Sequence, residues 1–231
     1  MFLSRQFKFI ILSFGIFFLV AACHKESLKE PVSVNITIDM NRLSDPFHSY
    51  HFEEGVMLIQ SIRLLGDRVE GQDIDFLREF PDGLFLSMNG QIHLDDLGFD
   101  LPQGEYDSLN LEIVTGNNQN TNLKIEGEFV SPLHSADTMA LIFEVAEPVT
   151  FTWKVQNGNG YTISLNSVTN YQLQVHMDPI YWFENISYQL LDAADSVFVD
   201  NVNTIPINNN ENIPLYTIIK KQMENGNRAF F

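Results

Sequence analysis

The chain has 231 residues, with 13 Lys and Arg against 30 Asp and Glu, for a formal net charge of −17. A surface this negative repels phosphate backbones and anionic headgroups, which argues against nucleic acid as a partner and against electrostatic attachment to a membrane. With 45% hydrophobic residues, 19 Phe among them, the chain has ample material for a core, which argues against wholesale disorder.

Residues 1–22 have the form of a secretory signal peptide: Arg5 and Lys8 give a positive start and Phe9 to Val20 a short apolar core. That core is too short to span a bilayer comfortably. Leu19, Val20, Ala21 and Ala22 precede Cys23, the only cysteine, in the branched-then-small pattern of a bacterial lipobox. A thiolate is the strongest nucleophile available for alkylation by a diacylglycerol donor, and cleavage before Cys23 frees an amino group for a further acyl chain. Several acyl chains anchor where one binds only reversibly. A lone cysteine in an oxidising envelope has no disulfide partner, so Cys23 is expected to be the lipid attachment point.

Residues 23–31 then form a polar tether, and 32–231 a single domain. Val32, Val34, Ile36 and Ile38 alternate with polar residues, the mark of a half-buried strand. The segment His51 to Phe76 predicts two strands joined by the acidic turn Gly66–Asp73. Pro102-x-Gly104 predicts a tight turn into a strand carrying Tyr106, Leu109, Leu111 and Ile113. Asn117–Asn122 breaks that strand, and Leu123–Val130 is expected to return as its hairpin partner. Further strands flank Pro148 and follow the Asn157–Gly160 turn, and the Asn-rich stretches read as loops. Asp178 as a cap and Pro179 at the first helical position predict a helix over 178–195, with Trp182, Ile186, Leu190 and Leu191 on one face. A second helix is predicted over 211–226, its Lys220 and Lys221 placed late, where they suit the macrodipole. The expected fold is mainly β, an antiparallel β-sandwich with two C-terminal helices.

The order of Phe52–Asp67, Leu101–Ile113, Leu123–Val130, Leu141–Phe151, Asp178–Phe183 and Asn212–Ile219 resembles a group of Bacteroidota outer-membrane lipoproteins. Lys25 followed by Glu26, just after the cysteine, partly matches the surface-export signal of such proteins. The resemblance implies a lipid-anchored β-rich domain on the outer membrane, facing outward, with no enzymatic activity and no catalytic residues. Pro102-x-Gly104-x-Tyr106 also resembles the strand start of transthyretin-like surface modules, an immunoglobulin-like sandwich arrangement in which Gly104 serves the turn and Tyr106 the core.

Several clusters carry possible chemistry. Asp67, Glu70, Asp73 and Asp75 offer hard oxygen ligands for a structural calcium ion, though their order is not that of an EF-hand, and a plain acidic hairpin tip fits equally. His48 and His51 with Glu53 and Glu54 offer zinc or copper ligands without a third at a diagnostic spacing. Asp95 and Asp96 are adjacent, so in a strand they face opposite sides and cannot share a substrate. Trp153, Tyr161 and Tyr171, with Tyr181 and Trp182, are candidates for a glycan-stacking platform and equally for core. Ser108, Thr138 and Ser196 each follow Asp in a short O-glycosylation pattern. No nucleophile elbow or metalloprotease helix motif is present in the sequence. The expected function is non-enzymatic binding or display at the outer membrane, toward a glycan or protein partner. The alternative is a structural or adhesive subunit that assembles through edge strands.

Overall fold

The computed structural model describes residues 30–47, 49–88, 97–116, 121–133, 138–158 and 160–231. The segment 1–22 expected to be a signal peptide, Cys23, His48, Asp95 and Asp96 lie outside the described residues. The fold is mainly β, built from two sheets of mixed strand orientation.

The alternation in the first strand, β1 (Pro31–Met40), places Val32, Val34, Ile36, Ile38 and Met40 in the core. On one side β1 runs parallel to β10 (Tyr171–Met177), from Val34 opposite Tyr171 to Met40 opposite Met177. On the other it pairs antiparallel with β4 (Gly98–Pro102), and β13 (Arg228–Phe230) closes the sheet on β10. This four-stranded sheet therefore joins the two ends of the domain.

The larger sheet has nine strands and is organised by β2 (Tyr50–Arg68), a strand of 19 residues. As expected, the acidic turn leads from β2 into an antiparallel partner, β3 (Ile74–Ser87), which occupies one edge of β2. The other edge is shared: β5 (Gly104–Thr115) lies along Ile59–Arg68 and β6 (Leu123–Val130) along Tyr50–Met57. Strands β5 and β6 therefore follow one another along β2, and the expected hairpin between them is not formed. The chain steps off the edge at Gly116, whose N–H donates to the Leu58 carbonyl at 2.8 Å, and returns at Asn122, whose carbonyl accepts from the Leu58 N–H at 2.9 Å.

The next pair repeats the step. Strand β7 (Thr138–Val145) lies on β6, and β8 (Thr150–Lys154) lies on β5. Between them the Val149 carbonyl accepts from the Thr115 N–H at 2.8 Å, and the Val149 N–H donates to Thr115 Oγ1 at 2.9 Å. The Asn122 side chain, fully buried, donates to the Ala146 carbonyl at 2.6 Å. A seam thus crosses the sheet at Leu58, Gly116, Asn122 and Ala146–Val149. The short β9 (Ile163–Leu165) pairs with the start of β5.

Beyond β7 the sheet ends in two strands that the Asn-rich composition does not announce. Strand β12 (Val202–Ile207) runs parallel to β7, and β11 (Val197–Val199) folds back on β12 through Asp200 and Asn201, both with positive φ, 48° and 67°. Two left-handed residues in a two-residue connection make a tight hairpin turn that suits strand twist. The parallel pairs β1–β10 and β7–β12 correct the expectation of a purely antiparallel fold. Parallel neighbours need long crossovers, and here those crossovers pass through most of the chain.

The predicted helix over 178–195 is two short helices. Helix α1 (Pro179–Phe183) has Asp178 as its cap and Pro179 at its start. Helix α2 (Tyr188–Asp192) starts anew because Ser187 is extended and its hydroxyl accepts from the Leu190 N–H at 3.3 Å. A serine that caps a new helix in this way competes with continuation of the old one. The last helix, α3 (Ile213–Gln222), carries Lys220 and Lys221 in its final turn, as predicted. Buried residues of both sheets and all three helices, from Val32 to Ala229, form one hydrophobic cluster. No helix among the described residues is long and apolar enough to cross a membrane.

Helix α3 is tied to the seam by Glu147, whose Oε1 accepts from the Tyr216 hydroxyl at 2.5 Å and from Lys220 Nζ. Burial disfavours charge on Glu147, but these two donors outweigh it and hold its pKa below the ordinary carboxylate value. A lowered folded-state pKa contributes stability above the unfolded pKa, which is lost as pH falls through the folded value. Glu147→Gln is therefore expected to melt about 2 °C below the parent at pH 7, the two curves converging in acid, as followed by circular dichroism.

Candidate ligand-binding hollow

The segment between β1 and β2 is folded around Asp45. This carboxylate is 1% exposed and accepts four hydrogen bonds: Oδ1 from the Ser49 and Tyr50 N–H groups at 2.5 and 2.9 Å, Oδ2 from the Phe47 N–H at 3.0 Å and the Tyr188 hydroxyl at 2.9 Å. Four donors meet the demand of a buried carboxylate, and the Tyr188 bond fastens this segment to α2. A second tie runs from Asn41 Nδ2 to Asp178 Oδ1 at 2.9 Å, at the head of α1. Asn227 holds the same corner from behind, its Oδ1 accepting from the Asp178 N–H and from Trp182 Nε1 at 3.1 and 3.0 Å.

These ties enclose a hollow of about 380 Å³ between the 45–50 segment, α1 and the α1–α2 turn. Its wall is aromatic. Tyr50 lies 6.4 Å from Tyr188, ring centre to ring centre, and Phe47 meets Tyr188 edge-on at 6.1 Å and 81°. Phe47 is 76% exposed at the rim, and Tyr181 is 37% exposed. The polar lining is acidic, from Asp45, Asp178 and Glu184, and among the described residues no basic side chain lines the hollow.

Tyr50 itself is 6% exposed. Burial, then the charges of Asp45, Tyr188, Glu184 and Asp178, push its pKa well above the ordinary phenol value, so the hydroxyl keeps its proton. No hydrogen bond reaches that hydroxyl from any described residue.

A second hollow, of about 280 Å³, lies where Arg68, Glu70, Gln103 and Glu105 meet. Gly104 has φ 135°, and the fully buried Tyr106 donates its hydroxyl to the Pro102 carbonyl at 2.6 Å. The Arg68 guanidinium lies 5.8 Å from the Tyr106 ring centre and donates to the Gln103 carbonyl at 2.6 Å. The turn glycine and core tyrosine thus take the positions expected of them, and Arg68 clamps the turn.

The other sequence candidates are dispersed. Asp67 accepts from the Ser108 hydroxyl at 2.6 Å, Asp73 from the Arg68 N–H at 2.9 Å, and Asp75 takes both Arg63 Nε and a terminal nitrogen at 2.7 and 2.6 Å. Glu70 faces the Arg68 hollow instead. The four carboxylates do not converge on a calcium position, and among the described residues no group of three His, Cys, Asp or Glu does so. His51 Nε2 pairs with Glu53 at 3.1 Å.

The glycan platform is likewise not assembled. Trp153 is 6% exposed and stacks on Phe151 at 5.6 Å, a core contact. Tyr161 sits under Lys154 Nζ at 4.7 Å, while Tyr171 hydrogen-bonds Ser164 and packs edge-on against Phe231. Trp182 is fully buried, leaving Tyr181 as the one member of that set in the hollow. Of the O-glycosylation candidates, Thr138 and Ser196 are exposed, whereas Ser108 is 7% exposed and bound to Asp67.

Asp45, Phe47, Tyr50, Glu184 and Tyr188 were not singled out from the sequence as site residues. Their one local signal is the Asp45-Pro46 turn; the rest depends on pairing two segments separated by 143 positions. Comparison with protein-family models, curated proteins and solved structures returns no match.

Proposed function

We propose that this chain is a non-enzymatic binding protein, held on the outer membrane by acyl chains on Cys23 and displayed outward, that receives a glycan or a protein partner's side chain in the aromatic hollow. The observation that carries this is Tyr50, its ring packed among aromatic rings and its hydroxyl open to a hollow that no described side chain fills. Concave, mostly apolar sites with a few convergent polar groups are the usual form of a ligand pocket. The two-sheet arrangement around one core, with the tyrosine turn at Gly104, supports a transthyretin-like or immunoglobulin-like sandwich, and the lipobox supports kinship with the Bacteroidota lipoproteins it resembles.

The anchoring half is tested by labelling cells with an alkyne fatty acid and by protease shaving of intact cells. The parent is expected to be labelled, to sediment with membranes and to be shaved. Cys23→Ala is expected to lose the label and to leave the membrane fraction. An unlabelled parent chain rejects the anchor, and a labelled but protected one turns the domain inward.

One observation favours assembly as a second function. Edge strand β11 exposes Val197, Phe198 and Val199 at 41%, 73% and 47%, without the lysine, proline or bulge that guards most sheet edges. A subunit that exchanges or adds strands there would sediment as an oligomer, and a plain binding module as a monomer.

A further inference from the structure

We infer that the hollow that Asp45, Pro46, Phe47 and Tyr50 form with α1 is a site for an organic cation, a ligand that carries an ammonium group. This deepens the binding function just proposed and rests on it. The chemistry of the lining selects the class. An anion is refused by Asp45, Asp178 and Glu184, with no basic side chain among the described lining residues to offset them. A neutral sugar needs donors and acceptors in comparable number, and the described side chains here offer carboxylate acceptors, the phenols of Tyr50, Tyr181 and Tyr188, the last already bound to Asp45, and no amide. A bare metal ion needs at least three converging ligands, and no described group supplies them.

An ammonium group meets each of these conditions. Its charge is attracted to the faces of Phe47 and Tyr181 on the rim, the arrangement by which aromatic cages hold such ligands. Its N–H or N–CH groups face the Tyr50 oxygen, which has no hydrogen-bond partner among the described residues. The carboxylates have distinct parts. Asp45 is saturated by four donors and acts through its field alone. Asp178 is partly engaged, its Oδ1 accepting from Asn41 and from the Tyr181 N–H at 2.9 and 3.4 Å. Glu184 is exposed, follows α1 directly, and is the carboxylate left to close on a bound cation.

Titration calorimetry on the full chain in neutral detergent tests this, with choline, spermidine and glucosamine as the charged probes. The uncharged counterparts are 3,3-dimethylbutan-1-ol, which has choline's shape without its charge, and glucose. At least one charged probe is expected to bind about ten-fold tighter than its counterpart, with affinity falling as salt is raised toward 0.3 M. Which of the three binds separates a quaternary headgroup, a polyamine and an amino sugar as sources of the cation. Glu184→Gln and Phe47→Ala, both at exposed positions outside the core, are each expected to weaken that binding about five-fold or more. Tyr50→Phe checks the buried hydroxyl without changing the ring. Equal binding of charged and uncharged probes, or binding indifferent to Glu184→Gln, overturns the cation assignment. Glucose binding that Phe47→Ala abolishes would do the same while leaving the hollow a ligand site. Silence from every probe, with the chain folded by circular dichroism, overturns both.

Discussion

Gly127→Ala is expected to destabilise the fold by about 3 kcal/mol, lowering the melting temperature by roughly 6–12 °C for a domain of this size. Gly127 lies in β6 opposite Phe52, where the register with β2 shifts between Phe52 and Glu54. A methyl group added there would stand 2.0 Å from the His51 carbonyl oxygen and 2.9 Å from the Phe52 Cα. Both obstacles are backbone near the start of β2, so no rotamer change can relieve them. Relief requires β2 and β6 to part, at the loss of ladder hydrogen bonds on which the fully buried Phe52 and Phe129 depend. Gly160→Ala is the matched control, since its nearest obstacle is the Asn157 oxygen at 4.0 Å, and thermal or urea melts of the two should separate clearly. A Gly127→Ala chain that melts with the parent would mean that β2 and β6 are not in this register.

The second large effect is expected at the seam. Asn122→Ala removes the donor to the Ala146 carbonyl and leaves a void at a fully buried position, a loss of about 2–3 kcal/mol. Gly116→Ala fails at the same place for a different reason. Its φ of 72° is costly for any side chain, and its added carbon would fall 1.8 Å from Asn122 Cγ. The steric part of that cost vanishes once Asn122 is truncated, while the backbone part, about 1 kcal/mol, stays. The double variant is therefore expected to be less destabilised than the sum of the singles by about 1–2 kcal/mol in urea melts. Strict additivity would show that the two residues do not share the step in the sheet.

Much of the strand inventory is legible in the sequence because it is written in local alternation. Val32 to Ile38 predicts β1, and Pro102-x-Gly104-x-Tyr106 predicts both the turn and the buried ring. Pairing is less legible, because it depends on what a neighbouring strand already occupies. Nothing near Leu123 tells that β2 is long enough to take β5 and β6 end to end, so a hairpin is the natural and mistaken inference. The hairpin β11–β12 is hidden by its asparagines, which signal a loop until the left-handed turn at Asp200 and Asn201 is seen. Helix α1 ends early because Ser187 prefers to cap, a side-chain choice that apolar spacing does not reveal. The hollow is the least legible part. Asp45 and Tyr188 are unremarkable by themselves and become a site only through the hydrogen bond that spans most of the domain.

The parallel pairing of β1 with β10 also has a mechanical side. Were Cys23 acylated as proposed, the bilayer would hold the chain at the Pro31 end of β1, through eight residues that reach at most about 28 Å. A ligand drawn outward from the hollow pulls on Asp178, one residue past the opposite end of β10. Because the two strands run the same way, these forces slide β1 and β10 past each other along their length. The inter-strand bonds from Val34 to Met40 then bear the load together, in shear, instead of parting one at a time as they would if the strands were peeled. With the proposed anchor and ligand in place, the β1–β10 pairing would lie between them, in the orientation best able to resist tension.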